Sequence, residues 1–164
     1  MDRACGEAAA ATVAVRPFAE RDMDKARDLL RQLGSDLDGD EVRRRVLAVT
    51  ADPNHTVMVA ERAGTVVGLC HMFARPALEK PPEAYVQALV VDAACRGGGI
   101  GRVLMAAAER WALDRGFDSV ALASNVSRTE AHAFYAEIGY RHVATSHLFR
   151  RTLRTRHGGG LTDM

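Results

Sequence analysis

The sequence predicts an α/β protein built on one mixed sheet with helices on both faces, and three observations carry that expectation. First, "YVQALVV" (85–91), an apolar helical pattern over 99–115 and "DSVALAS" (118–124) make a strand–helix–strand unit. Its crossover should be right-handed and its strands parallel. Second, "TVMVAERAGTVVGLCHMF" (56–73) reads as two strands around an Arg62-Ala63-Gly64 turn, an antiparallel hairpin. Third, further helical stripes before and after these strands each need a sheet face on which to bury their apolar side.

Taken in order, "TVAVRPF" (12–18) is a short β-prone run stopped by Pro17. Over 19–34, Met23, Ala26, Leu29, Leu30 and Leu33 recur at helical spacing, and Gly34 is a natural stop. A second helix near 40–51 has Asp40 as its candidate cap. After the hairpin, "ARPALEKPPEA" holds three prolines in eleven residues and reads as a loop. Strand 85–91 is apolar at its end, which fits a buried position. In the following helix Ile100, Val103, Leu104, Ala107, Ala108 and Trp111 form one stripe, and Gly116 ends it. "SRTE" (127–130) is a capping-box pattern that opens a helix to about Ile138. "YRHVATSHLFRRTL" then predicts two last strands. The expected organisation is a flexible leader (1–11), a single domain (12–153) and a flexible tail (154–164), with no internal repeat.

Composition narrows the function classes. Twenty-two Lys+Arg against 21 Asp+Glu give a net charge of +1, so no global field recruits nucleic acid or an anionic membrane. No apolar run approaches the roughly 20 residues of a membrane helix, and the start of the chain, interrupted by Glu7, does not read as a secretion signal. Cys5, Cys70 and Cys95 cannot all pair within the chain and match no zinc spacing, so no metal is expected. A reducing cytoplasm is the simplest compartment.

The most informative stretch is "CRGGGIGRV" (95–103), four glycines in five positions at the start of a helix. Glycine costs conformational entropy on folding, so bare backbone must be wanted there. Just past a strand's carboxyl end, at a helix N-terminus, unpaired N–H groups and the macrodipole favour an anion. Gly97, Gly98, Gly99 and Gly101 let those amides approach phosphate oxygens, while Arg96 and Arg102 add positive charge. The loop therefore suits a phosphate, most naturally a pyrophosphate; the alternative is a glycine-rich turn packed between strand and helix. A G-x-G-x-x-G fingerprint fails because Arg102 and Leu104 stand where glycine is needed, and no Gly-Lys-Ser/Thr follows for a P-loop. The pattern that fits is R-x-x-G-x-G, at Arg96, Gly99 and Gly101.

With that loop, "LVVDAACRGGGIGRVLMAAAERWALDRGFDSVALASN" resembles the acyl-CoA-binding core of the GNAT N-acetyltransferase superfamily. Asn125 followed by "EAHAFYAEIGY" (130–140) is similar to the family's closing motif, and the order of elements matches over roughly 12–153. The resemblance implies a GNAT-like acyl-CoA N-acyltransferase fold and an acetyl-CoA-dependent transfer to an amine acceptor, by direct attack without an acyl-enzyme. It implies that residues 96–102 (Arg96, Gly97, Gly98, Gly99, Ile100, Gly101 and Arg102) hold the CoA pyrophosphate. Leu89, Val90 and Val91 would run beside the pantetheine arm like an added strand, with a backbone N–H there meeting the thioester oxygen. Tyr135 matches the family tyrosine that protonates the thiolate; otherwise it extends the core stripe Ala131–Phe134–Ile138. Asn125 either hydrogen-bonds the pantetheine or forms an Asx turn, and Arg128 either touches a CoA phosphate or is solvated. Members of the family are often dimers, so a homodimer stays open, with no interface located.

The base is where the chain departs from the family pattern. Many relatives carry a glutamate on the fourth strand, where this sequence has Gln87 and Ala88. Glu83 shares a face with Tyr85 and Gln87 by strand parity, and His71 lies on the preceding strand; a packed histidine or a water relay are the alternatives. The base is left unassigned. Cys95, beside Arg96, lies at the phosphate end and has no assigned role. For the acceptor, the acids of "SDLDGDE" suit a cationic amine and "RRR" (43–45) an anionic group, while a solvated helix surface accounts for both. "LASNVSRTEAHAFYAEIGY" with "SHLFRRTL" is similar to small bacterial aminoalkylphosphonate acetyltransferases, which favours a small amine. A protein or peptide amine, or an acyl-CoA-binding sensor without turnover, are the other readings. The missing glutamate keeps the sensor reading open and Tyr135 argues against it.

Overall fold

A computed structural model describes residues 12–153, so the expected leader and tail lie outside the described residues. The chain divides into two compact units at Arg128/Thr129. The first holds a five-stranded sheet in the order β1 (Val13–Pro17), β2 (His55–Arg62), β3 (Thr65–Arg75), β4 (Glu83–Val91), β5 (Val120–Leu122). Strands β1 to β4 are antiparallel neighbours, and β4 pairs with β5 in parallel. The mixed sheet therefore arises where expected, at the strand–helix–strand unit. The β2–β3 hairpin closes in two residues because Ala63 (φ 49°) and Gly64 (φ 75°) both take positive φ, which matches the right-handed twist of the flanking strands.

Helices cover both faces. On one, Ala26 and Leu29 of α1 (Met23–Gln32) cluster with Val57, Val59, Val66, Leu69 and Val90, and Val49 of α2 (Gly39–Ala51) packs against that cluster. On the other lies α3 (Ile100–Asp114). A Cβ on Gly68 would stand 2.9 Å from Leu104 Cδ1 and 3.2 Å from Ile100 Cγ2, so glycine at 68 lets the helix approach the strand. The α3 side chains that bury are Ile100, Leu104, Met105, Ala108 and Ala112, whereas Val103 is 37% exposed. The stripe thus runs at i, i+4, i+8 and i+12, rotated from the expected one. Fully burying the three larger ones, Ile100, Leu104 and Met105, contributes on the order of 1.5–3 kcal/mol each. No helix among the described residues is long and apolar enough to cross a membrane.

Several sequence expectations are corrected locally. Asp38, not Asp40, caps α2: its carboxylate accepts from the Glu41 amide at 2.7 Å, and the extended backbone at Asp38 suits that role. The Ser127 hydroxyl donates to Asn125 Oδ1 at 2.8 Å, a bond that the "SRTE" pattern does not suggest.

The second unit holds α4 (Thr129–Glu137), closed by Gly139 at φ 97° with the Tyr140 amide donating to the Tyr135 carbonyl at 2.9 Å. The two last strands do not form: residues 140–153 carry no strand. Val143, Leu148, Phe149 and Leu153 are exposed there. β-propensity describes fit to a pleated, half-buried surface, and without such a surface it dictates no strand.

Candidate active site

The crossover from β4 to α3 places the glycine loop at the end of a strand and the head of a fifteen-residue helix. Two anchors hold its entrance. The Lys25 ammonium donates to Asp92 Oδ2 at 2.6 Å, and the Ala93 amide donates to Gln32 Oε1 at 2.8 Å, which ties the loop to α1. The Lys25 bond holds the Asp92 carboxyl below the usual range against the opposing effect of burial. Beneath the loop lies the buried Arg62, whose Nη1 is 3.4 Å from where a Gly98 Cβ would stand.

Gly97 (φ 78°) and Gly99 (φ 75°) take left-handed backbone, and Gly99 is the residue before the first helical turn. A Cβ on either would meet nothing within 4 Å. Crowding therefore does not explain these glycines; the backbone conformation does, and the space beside it is open. The amides of Gly99, Ile100, Gly101 and Arg102 precede the first intrahelical bond, in which the Val103 amide donates to the Gly99 carbonyl at 3.1 Å. Open space, the amide donors of a first helical turn and the positive helix end fit a diphosphate. Of the two flanking arginines, Arg96 reaches back to the Val91 carbonyl with a long contact of 3.4 Å and is exposed.

Upstream, β4 has an edge that its neighbour covers only in part. Its ladder with β5 covers only Ala84, Tyr85 and Val86, with one further bond from the Ala84 amide to the Ser119 carbonyl. From Gln87 to Val91 that edge of β4 has no strand partner among the described residues of its unit. Leu89, Val90 and Val91 lie on this stretch, paired on their other side with Cys70, Leu69 and Gly68. At its start, His71 pairs with Ala88 and Met72 with Val86, so Gln87 is an extra residue, a β-bulge. A bulge turns backbone groups out of the ladder. Neither the bulge nor the anchors Lys25 and Gln32 were found by sequence reading. A bulge has no residue signature here, and the anchors lie 61 or more positions from their partners.

The remaining predicted residues fall in both units. Asn125 makes the Asx turn: its Oδ1 accepts from the Ser127 amide at 3.0 Å, and its carbonyl accepts from the Arg128 amide at 3.0 Å. Arg128 is exposed. Tyr135 belongs to the second unit, on α4, with its ring 5.2 Å from that of Phe134 and edge-on to Tyr140 at 6.1 Å. Both base candidates are shifted downward. Glu83 is clamped by Lys80 (2.7 Å) and Arg75, and these bonds hold its carboxyl below the usual range. His71 is pushed down to about 4 by burial and then by His55, so it is neutral at physiological pH. The charged run near α2 is consumed locally: Arg43 pairs with Glu20, and Arg44 and Arg45 both pair with Glu41.

Comparison with known proteins follows the same outline. A family model for the acetyltransferase (GNAT) family matches residues 13–140. The aminoalkylphosphonate N-acetyltransferase of Salmonella typhimurium is 33% identical over 129 residues, covering 77% of this chain and 84% of that protein. The aminoglycoside N(6')-acetyltransferase type 1 of Stenotrophomonas maltophilia is 28% identical over 127 residues, 74% of this chain and 83% of that one. Among solved structures, AAC(6')-Iy in complex with a CoA-S-monomethyl-acetylneamine bisubstrate analogue superposes with a TM-score of 0.79 at 16% identity. That match covers 87% of this chain and 99% of the other.

Proposed function

We propose a small-molecule amine N-acetyltransferase, on the premise that the chain belongs to the GNAT acetyltransferase family and is an acetyl-CoA-dependent acyltransferase. The amine attacks the thioester directly. The observation that carries this reading is the continuity of two elements: the β4 edge from Gln87 to Val91, without a strand partner among the described residues of its unit, leading into the glycine-capped head of α3. In this reading the amides of 97–102 and the α3 dipole hold the diphosphate, with Arg96 and Arg102 adding charge. The backbone of Leu89, Val90 and Val91 pairs with the amides of the pantetheine arm as a further strand would. The Gln87–Ala88 bulge turns a backbone N–H toward the thioester oxygen, where it stabilises negative charge developing in the transition state. Asn125 and Arg128 flank the arm, and Tyr135 gives a proton to the departing thiolate.

A small amine is favoured because two relatives are named for aminoalkylphosphonates and aminoglycosides, both small-molecule amines. The test is release of free thiol from acetyl-CoA with a panel of aminoalkylphosphonates, aminoglycosides, polyamines and peptide N-termini. Turnover with a small amine is expected. Turnover confined to peptides overturns the acceptor class. Acetyl-CoA that raises the melting temperature yet releases no thiol with any amine identifies a sensor instead.

A further inference from the structure

On the sheet face that carries α1, a row of rings crosses three strands. His55 of β2 stacks on His71 of β3 with centroids 5.2 Å apart and on Phe73 at 5.0 Å, and Phe73 tilts against Tyr85 of β4 at 5.5 Å. Within this row His55 Nδ1 and His71 Nε2 are 2.9 Å apart, a hydrogen bond between two titratable rings. Its two ends differ. At the outer end His55 is 26% exposed, and its Nε2 lies 3.9 Å from Asp52 Oδ2 just past α2. At the inner end His71 stands directly across from Ala88, beside the Gln87 bulge. The row thus leads from solvent to the point where β4 leaves its ladder.

We propose that His71 is the general base of the reaction and that His55 passes the proton from it to solvent beside Asp52. The inference rests on the N-acetyltransferase reading. The amine arrives as an ammonium and loses two protons. His71 Nδ1 takes the first, its Nε2–H moves to His55 Nδ1, and the His55 Nε2–H leaves to water. The freed nitrogen lone pair forms the C–N bond as the C–S bond breaks, and the second nitrogen proton ends on the thiolate. The alternatives are poorly suited: Glu83 is held by Lys80 and Arg75, and Gln87 and Ala88 take no proton. The charged and titratable groups along this row are Asp52 beside His55, Tyr85 of β4 beyond Phe73, and Arg75 of β3, which lies over the Tyr85 ring and pairs with Glu83 of β4. Because His71 is unprotonated at neutral pH, it is ready to accept; because it is a weak base alone, it depends on His55 to take the proton onward.

The test combines kinetics with imidazole NMR. With the amine that turns over fastest in the panel above, His71→Ala and His71→Asn should each lower kcat at pH 7 by about 100-fold or more, recovering as pH rises and leaving acetyl-CoA affinity unchanged. His55→Phe keeps a ring stacked on Phe73 but should lower kcat and make it rise with the concentration of an imidazole buffer. Folded variants with wild-type kcat and an unchanged pH profile overturn the proposal. The wild-type imidazole spectra should show His71 neutral down to acid pH and shifted by His55→Phe; two rings titrating independently near 6.5 also overturn it. If no amine turns over, the acceptor reading fails by itself, and the spectra still decide whether the pair is coupled as the relay requires.

Discussion

Replacing Gly99 by glutamate probes the loop most severely, and its effect can be worked from the backbone. Gly99 sits at φ 75°, so any side chain there costs about 1–2 kcal/mol of left-handed strain. That cost falls on stability and is shared by Gly99→Ala. A Cβ there meets nothing within 4 Å, so neither variant is blocked sterically, and the carboxylate projects into the open space assigned to the diphosphate. At about 5 Å in fully water-like dielectric, each pair of like charges costs about 0.8 kcal/mol, and two phosphate charges about 1.7 kcal/mol. At low salt the loss of acetyl-CoA affinity is therefore about 17-fold relative to Gly99→Ala, and larger where the local dielectric is lower. Calorimetry on wild type and both variants at low and high salt measures it. The glutamate penalty should shrink with salt, while the alanine effect, being strain, should not. Equal affinity of the two variants at low salt refutes the assignment of the diphosphate to this loop.

Three other outcomes are expected. Tyr135→Phe should lower kcat while leaving acetyl-CoA affinity nearly intact, measured by thiol release beside calorimetry; lost affinity with unchanged turnover per bound cofactor contradicts its role as acid. Asp22, 4% exposed, accepts two bonds from Arg16 (2.7 and 2.8 Å) and one from the Ala19 amide, so Asp22→Asn should cost about 2–3 kcal/mol in denaturant unfolding at pH 7. The Arg16 bonds depress its pKa in the folded state, so its contribution is present above the unfolded value near 3.9 and lost as pH falls through the folded one. Wild type should therefore lose stability faster than Asp22→Asn in that acid window. Cys70 is fully buried and its thiol is pushed up to about 12, so peptide mapping after iodoacetamide treatment should find it unmodified until the protein is unfolded.

How far the sequence could be read depended on whether the determinant was local. The hairpin turn, the crossover and the glycine loop are written in adjacent residues, and all three stand where expected. The α2 cap was misplaced by two positions because Asp38 and Asp40 are chemically equal, and only the backbone at Asp38 selects between them. The α3 stripe was rotated because Val103 and Met105 are both apolar, and contact with Gly68 through Ile100 and Leu104 sets the buried line. Beyond residue 140, alternation and β-branched residues spell strands, yet a strand is a property of a pair. At the site, the glycine-lined turn at the head of α3 was legible in "CRGGGIGRV", whereas the bulge at Gln87 and the contact of His55 with His71 are cross-strand facts. His55 attracted no notice in the sequence, since nothing local links it to a residue sixteen positions away.

The central claim is that one continuous backbone track, from the bulge at Gln87 to the head of α3, grips the acyl donor. A crystal structure with acetyl-CoA tests it most directly. The account predicts diphosphate oxygens within about 3 Å of amides in 97–102, and pantetheine amides bonded to the backbone of 87–91. A cofactor bound elsewhere, with that edge of β4 covered by protein, contradicts it.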